Sequence, residues 1–287
     1  MMERVIKTPY LILTGDWHLR EDTPVCFTGD FQLEQWNCVR FVNRLQEKYK
    51  CPVIHAGDLF HHWKPSPWLL SMVITNLPDK FYTLLGQHDI PQHNLELVHK
   101  CGVYTLELAG KLTILNGTHF EQEPIEIAHS TLPLDILVWH HLTYLTPPYP
   151  GATGGNAESI LKKYSQFRLI VTGDNHCSFT IEKNGRRLVN TGNLTRQTAD
   201  QIDFKPCVWL WYNDNSVQQV FLPIEEGVVS REHLVVKQER DSRIDAFISK
   251  LNDKYEVSLS FENNLEQFFK TNDISKEVKQ IIYTNLE

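Results

Sequence analysis

The chain has 287 residues, 41% hydrophobic and 22% charged, the balance of a globular protein with a sizeable core rather than a disordered or fibrous chain. No apolar run reaches the ~20 residues that a bilayer-spanning helix needs, and six cysteines without a C-x-x-C pair argue against a thiolate zinc site or a disulfide framework. A net charge of −7 argues against a broadly basic nucleic-acid surface, although aspartates neutralised by bound cations would shift that balance toward zero.

In chain order, "MMERVIKTPYLILTGDWH" runs from its apolar stretch straight into a Gly-Asp turn with no small cleavage-type residues. A secretory leader is therefore not expected, and a cytoplasmic location is. "YLILTGD" (10–16), "PVIHAGD" (52–58), "FYTLLGQHD" (81–89), "DILVWHH" (135–141) and "RLIVTGD" (168–174) read as short buried strands. Helical stripes lie between them: Cys38, Phe41, Val42, Leu45 and Tyr49 fall on one face, as do Ala157, Ile160, Leu161 and Tyr164. Alternating strands and amphipathic helices predict a layered α/β or α+β core. After residue 176 the pattern turns to antiparallel β, with Asn184-Gly185 marking one hairpin and "NDNS" another. Pro223 and "IEEG" set the expected boundary between a catalytic domain (1–223) and a small module (224–287). That module reads as strand ("EHLVVKQ"), helix ("RIDAFISKLN"), strand ("EVSLSF") and two further helices, with nine Lys/Arg against thirteen Asp/Glu.

The residues that carry chemistry share a position. Each of the five early strands ends in Asp or His: Asp16-Trp17-His18, Asp58, His88-Asp89, His140-His141 and Asp174-Asn175-His176. Strand ends in such folds converge on one rim, and a Gly before the acid lets the backbone turn sharply. Acids and imidazoles so gathered suit two divalent ions that clamp the attacking and leaving oxygens of a displacement at phosphorus. Asp58 is the natural bridge. Asp16, His18 and His176 would complete the first site, and Gln87, Asp174 and one histidine of the 140–141 pair the second; neighbours on a strand face opposite ways, so only one of the two should reach. His88 remains free to donate to the phosphate or leaving group, with Asp89 orienting it. Trp17 and Trp63 could stack on a base, and Lys183, Arg186, Arg187 and Arg196, on or just after the hairpin that follows His176, are the candidate nucleic-acid contacts.

This order of segments resembles the calcineurin-like metallophosphoesterase superfamily, whose pattern is D-x-H, G-D, G-N-H-[DE], H and G-H-x-H. "GDLFHHWKPSP" and "LVNTGNLTRQTADQIDFKPCVWLWY" are closer still to its SbcD/Mre-type DNA repair exonucleases. The resemblance spans roughly residues 8–223 and, more faintly, the tail as a short capping module. It implies a four-layer α/β/β/α sandwich, two Mn²⁺ or Mg²⁺ ions, and DNA positioned with the help of His61. It further implies 3′-to-5′ exonuclease and single-strand endonuclease activity, a coiled-coil ATPase subunit of the SbcC/Rad type as partner, and often a homodimer. "HLT" favours His141 by resemblance to this branch, whereas other branches favour His140. Gln87 stands where the family has Asn, and Asp174 where it has the first His of G-H-x-H; both changes favour hard, oxygen-preferring ions. A minimal or phage-encoded form suits the length. The alternatives are a metallophosphoesterase acting on a nucleotide, cyclic nucleotide or phosphoprotein, and a non-catalytic docking subunit of a DNA repair complex.

Overall fold

Period-two alternation gives each central strand two apolar faces, and the molecule uses both. The computed structural model describes residues 7–115, 135–254 and 261–284. One sheet has six strands in the order β12-β11-β1-β2-β3-β4. Its parallel part is β1 (Leu11–Thr14), β2 (Val53–His55), β3 (Phe81–Thr83) and β4 (Thr113–Ile114). The hairpin strands β11 (Cys207–Trp211) and β12 (Val217–Phe221) extend it antiparallel to β1. The second sheet has the order β5-β8-β10-β9. There β5 (Ile136–His140), β8 (Leu169–Gly173) and β10 (Arg186–Asn190) run parallel, and β9 (Phe179–Lys183) runs against β10. A two-stranded piece, β6 (Thr143–Tyr144) with β7 (Gly155–Asn156), stands apart.

Leu11, Leu13, Ile54, Leu84, Ile136, Val138, Leu169, Val171 and Val189 pack between the two sheets. Their neighbours Ile12 and Val53 face the other way, into a core with α1 (Phe31–Tyr49), α2 (Pro67–Asn76) and α3 (Gly102–Leu108). Leu137, Trp139, Ile170 and Leu188 likewise turn outward onto Ala157, Ile160, Leu161 and Tyr164, on and just after α4 (Ala157–Lys163). The layers are therefore α/β/β/α, the sandwich expected. Asp30 caps α1 by accepting from the Leu33 amide, and Ser66 with Pro67 opens α2. Asn184 and Gly185 take the left-handed conformations (φ 54° and 72°) that a two-residue hairpin requires.

The chain divides into two units, Met1–Ser230 and Arg231–Glu287. The second departs from the expected module. "EHLVVKQ" is not a strand: it opens a single helix, α5 (Glu232–Lys254), continuous with "RIDAFISKLN". The expected strand "EVSLSF" lies almost wholly outside the described residues. The two final helices form as α6 (Phe261–Thr271) and α7 (Lys276–Thr284), joined by an edge contact of Phe269 with Tyr283.

Candidate metal centre

The loops after β1, β2, β3, β5 and β8 meet, and hydrogen bonds between the sheets show how. The Asp174 amide donates to both carboxylate oxygens of Asp16 (3.0 and 3.1 Å). The Nδ1 of His140 lies 2.7 Å from the Ala56 carbonyl and its Nε2 2.7 Å from the Gln87 Oε1. The Gln87 amide donates to Asp174 Oδ1 at 2.6 Å. Asp16, His18, Asp58 and Asp174 all have positive φ (49°, 43°, 57° and 72°). Each departure of this kind costs a non-glycine residue on the order of 1–2 kcal/mol; four at one rim mark a site where backbone strain serves side-chain placement. Two glycines make room. A Cβ on Gly57 would lie 2.4 Å from His140 Nδ1, and one on Gly86 would lie 2.1 Å from Asp58 Oδ1.

Asp58 is the hub. Its Oδ1 accepts from the His88 amide at 2.9 Å, while Oδ2 faces His140 Nε2 at 3.5 Å and His18 Nε2 at 3.7 Å. Burial opposes its charge, but His140, His18 and His88 hold it well below the usual carboxylate range. Burial also works against a charged His140, yet Asp58, Asp16 and Asp174 carry its pKa up to about 10. Burial pushes Asp16 up, reinforced by Asp58 and Asp174 and opposed by His140. Burial pushes His18 down strongly and His176 down.

The donor set fits divalent cations. Asp58 Oδ2 and both ring nitrogens of His18 are buried and have no hydrogen-bond partner, a costly state for polar atoms unless something else satisfies them. Asp16, His18 and His176 bring one donor atom each within 4.8 Å of one another, and so do Asp16, Asp58 and His140.

His140, not His141, enters this cluster. The strand turns His141 to the other face, where its ring stacks on Trp139 at 3.9 Å. His88 sits at the rim with Nδ1 2.9 Å from the His61 carbonyl, and its ring stacks on that of His61 at 5.5 Å. Asp89 does not orient His88 as expected. Its carboxylate accepts from the amides of Leu59, Phe60 and Gly86 (3.1, 3.0 and 3.2 Å), tying the loop after β2 to the loop after β3. Burial, with Asp58 adding to it, raises its pKa to about 7.

The expected DNA-contacting cations lie elsewhere. Because β10 runs parallel to β8, Arg187 pairs with Leu169 and Asn190 with Thr172. Arg186 thus sits at the far end of its strand, four residues or about 13 Å from the rim. Its guanidinium donates to the Leu161 carbonyl, Arg187 pairs with Glu182, and Lys183 pairs with Glu158 at 3.0 Å. Arg196 is 3% exposed and pairs with buried Glu34 at 3.3 Å. Trp17 is fully buried, with Nε1 donating to Thr14, and Trp63 packs against the helical core.

Two supports were not anticipated. Asn190, fully buried, donates to the carbonyls of Asn175 (2.6 Å) and Cys177 (2.8 Å), fixing the turn that carries His176. Gln197 donates to the carbonyls of Trp17 (3.4 Å) and His18 (3.2 Å) beneath the first ligand turn. A polar residue closing the apolar run "RLVN" was the one available signal for Asn190.

A four-layer sandwich whose strand ends gather acids and imidazoles around unpartnered buried acceptors defines a metal-dependent hydrolase. The family model for calcineurin-like phosphoesterase matches residues 10–178, more than half of the chain, and the chain belongs to that family. It is a phosphate-ester hydrolase. Among solved structures, one described as a novel archaeal phosphodiesterase aligns with 74% of this chain and 99% of its own, at 14% identity and a TM-score of 0.43. No curated protein matches the chain. Among the described residues, no helix is long and apolar enough to cross a membrane.

Proposed function

We propose that the chain is a two-cation phosphodiesterase that cleaves DNA as an exonuclease and single-strand endonuclease. The observation that carries the catalytic reading is Asp58: one buried carboxylate with an unpartnered oxygen, faced by His18 and His140. Asp58 would be shared, with Asp16, His18 and His176 holding one ion and Gln87, His140 and Asp174 the other. Gln87 and Asp174 add hard oxygens, which favours Mn²⁺, with Mg²⁺ as substitute. When bound, the cations neutralise phosphate charge and lower the pKa of a water enough to supply a nucleophile near neutral pH. The Nδ1–H of His140 donates to Ala56, which leaves Nε2 as the ligand atom. The contact of His88 Nδ1 with the His61 carbonyl likewise leaves Nε2 to meet substrate. A protonated His88 can donate at both nitrogens, one proton to that carbonyl and the other to the leaving oxygen. His61, stacked on it, would position the substrate strand.

DNA is supported by the segments "GDLFHHWKPSP" and 188–212, which resemble the nuclease branch; on that reading a coiled-coil ATPase subunit and a homodimer are the expected assemblies. A small phosphodiester is the second reading. Intramolecular pairing of Lys183, Arg186, Arg187 and Arg196, together with the net charge of −7, favours it.

One experiment separates them: purified chain with Mn²⁺ is offered labelled single- and double-stranded DNA and bis-p-nitrophenyl phosphate. Cleavage of DNA, lost in Asp58→Asn, supports the nuclease. Cleavage of the small diester alone supports the second reading, and inactivity on all three overturns both.

A further inference from the structure

We propose that His18, His61 and His88 form a third cation site, selective for an imidazole-preferring ion of the Zn²⁺ class, which overlaps the hydrolytic centre and shuts it down when filled. One ring nitrogen from each of the three lies within 4.8 Å of the other two. The ring centroids of His18 and His88 are 4.7 Å apart, those of His61 and His88 5.5 Å, and those of His18 and His61 5.9 Å. Zinc–nitrogen bonds of about 2.0–2.1 Å place tetrahedral donors roughly 3.4 Å apart, so small ring rotations close the cradle. His18 is buried, and both of its nitrogens lack a partner. The backbone carbonyl of His61 engages Nδ1 of His88 and leaves Nε2 free.

The donor chemistry differs from that of the proposed pair. Three imidazoles and no carboxylate make a site that Zn²⁺ fills in preference to Mn²⁺ or Mg²⁺. The pair, by contrast, mixes His18, His140 and His176 with four oxygen donors, Asp16, Asp58, Asp174 and the amide of Gln87. Sharing sets up the inhibition: an ion in the cradle takes His18 from the pair and His88 from the leaving group at once. The inhibitory half of the inference rests on the proposed hydrolytic centre; the binding half does not.

The test therefore reads binding. The metal-stripped full chain is titrated with Zn²⁺ against a chromophoric chelator, and with Co²⁺ followed by visible absorption, in wild type and in His61→Ala. His61→Ala keeps the backbone carbonyl that holds His88 and every proposed ligand of the pair. Its Zn²⁺ affinity should fall roughly tenfold or more, and the intense absorption of four-coordinate Co²⁺ should be lost. Mn²⁺ binding, followed by paramagnetic resonance, should stay unchanged. His88→Asn should repeat the pattern and replaces His61→Ala should that variant fail to fold. Unchanged Zn²⁺ affinity in both variants, or a parallel loss of Mn²⁺ binding, overturns the third site. Mn²⁺-dependent hydrolysis by wild type without zinc is scored separately, so failure of the hydrolytic reading is distinguishable from failure of this one.

Discussion

Asp58 meets two demands: a fully buried carboxylate needs compensating charge, and its Oδ1 must also hold the His88 amide. Asp58→Asn preserves that acceptor and the shape of the side chain while removing the charge. Its expected effect is a loss of Mn²⁺ occupancy, read by metal analysis, and a fall in hydrolysis of roughly 10²–10³-fold or more, the scale of one lost electrostatic stabiliser. Protonation follows from the same crowding. In the cation-free site burial pushes Asp16 up, and His140 is carried to about 10, so His140 holds a proton that a cation must displace. Cation affinity should therefore rise with pH, about tenfold per unit for each proton displaced. An affinity flat between neutral and mildly alkaline pH would remove His140 from the ligand set. Asp174 offers a sharper test of its own role. Asp174→His exchanges a hard oxygen for an imidazole nitrogen, and the ratio of Zn²⁺ to Mn²⁺ affinity should climb; an unchanged ratio means that Asp174 is not a ligand.

At the scale of elements, the segment after β10 is a strut rather than a substrate groove. Arg196 joins Glu34 of α1 to the Glu225 carbonyl, and the Glu225 amide donates back to Glu34 at 2.7 Å. Arg196→Ala would strand a buried carboxylate, so urea unfolding should show a loss of about 3–5 kcal/mol. DNA affinity of the remaining folded protein should be unchanged; a selective loss of DNA binding at intact stability would restore Arg196 as a contact residue. The sequence made the ligand-bearing strand ends legible because apolar runs closed by Gly-Asp or by His are local signals. The direction of β10 was not local. Arg186 and Arg187 looked close to His176 because they follow it within eleven positions, but parallel pairing with β8 carries them to the opposite end of the strands. Whether His140 or His141 faces inward depended on strand register, which only pairing with β8 fixes. Val235 and Val236 suggested a strand in the tail; yet no Gly or Pro stands between residues 232 and 254, so helix propagates through the β-branched pair from good helix formers on either side.

For the molecule as a whole, His55 links the core beneath the metal centre to stability against acid. Its ring sits between Trp17 and Phe81 (centroids 5.5 and 5.4 Å away). The Thr83 hydroxyl donates to the Leu84 carbonyl, so it accepts from His55 Nδ1–H at 2.8 Å. Nε2 is buried without a partner, as a neutral ring allows. Burial, with His140 adding to it, lowers the pKa to about 3, against about 6.5 in an unfolded chain. Between those values the unfolded chain binds a proton that the folded chain refuses. The stability this residue protects is fully present above pH ~6.5 and is lost as pH falls toward 3, at about 1.4 kcal/mol per pH unit. Asp89 acts in the opposite sense. Its folded pKa of about 7 exceeds the ordinary carboxylate value, so its contribution is present at low pH and lost as pH rises through 7. The two slopes partly cancel in wild type, and the difference between wild type and a variant is the informative quantity. His55→Gln keeps a donor for Thr83 and removes the titration. In the cation-free chain, urea-unfolding free energies for wild type and variant should diverge from parallel between pH 6 and pH 4, wild type falling the more steeply by about 1.4 kcal/mol per unit. Parallel curves across that range would mean that the His55 pocket admits a protonated ring, and that the floor of the metal centre is wetter than its apolar walls require.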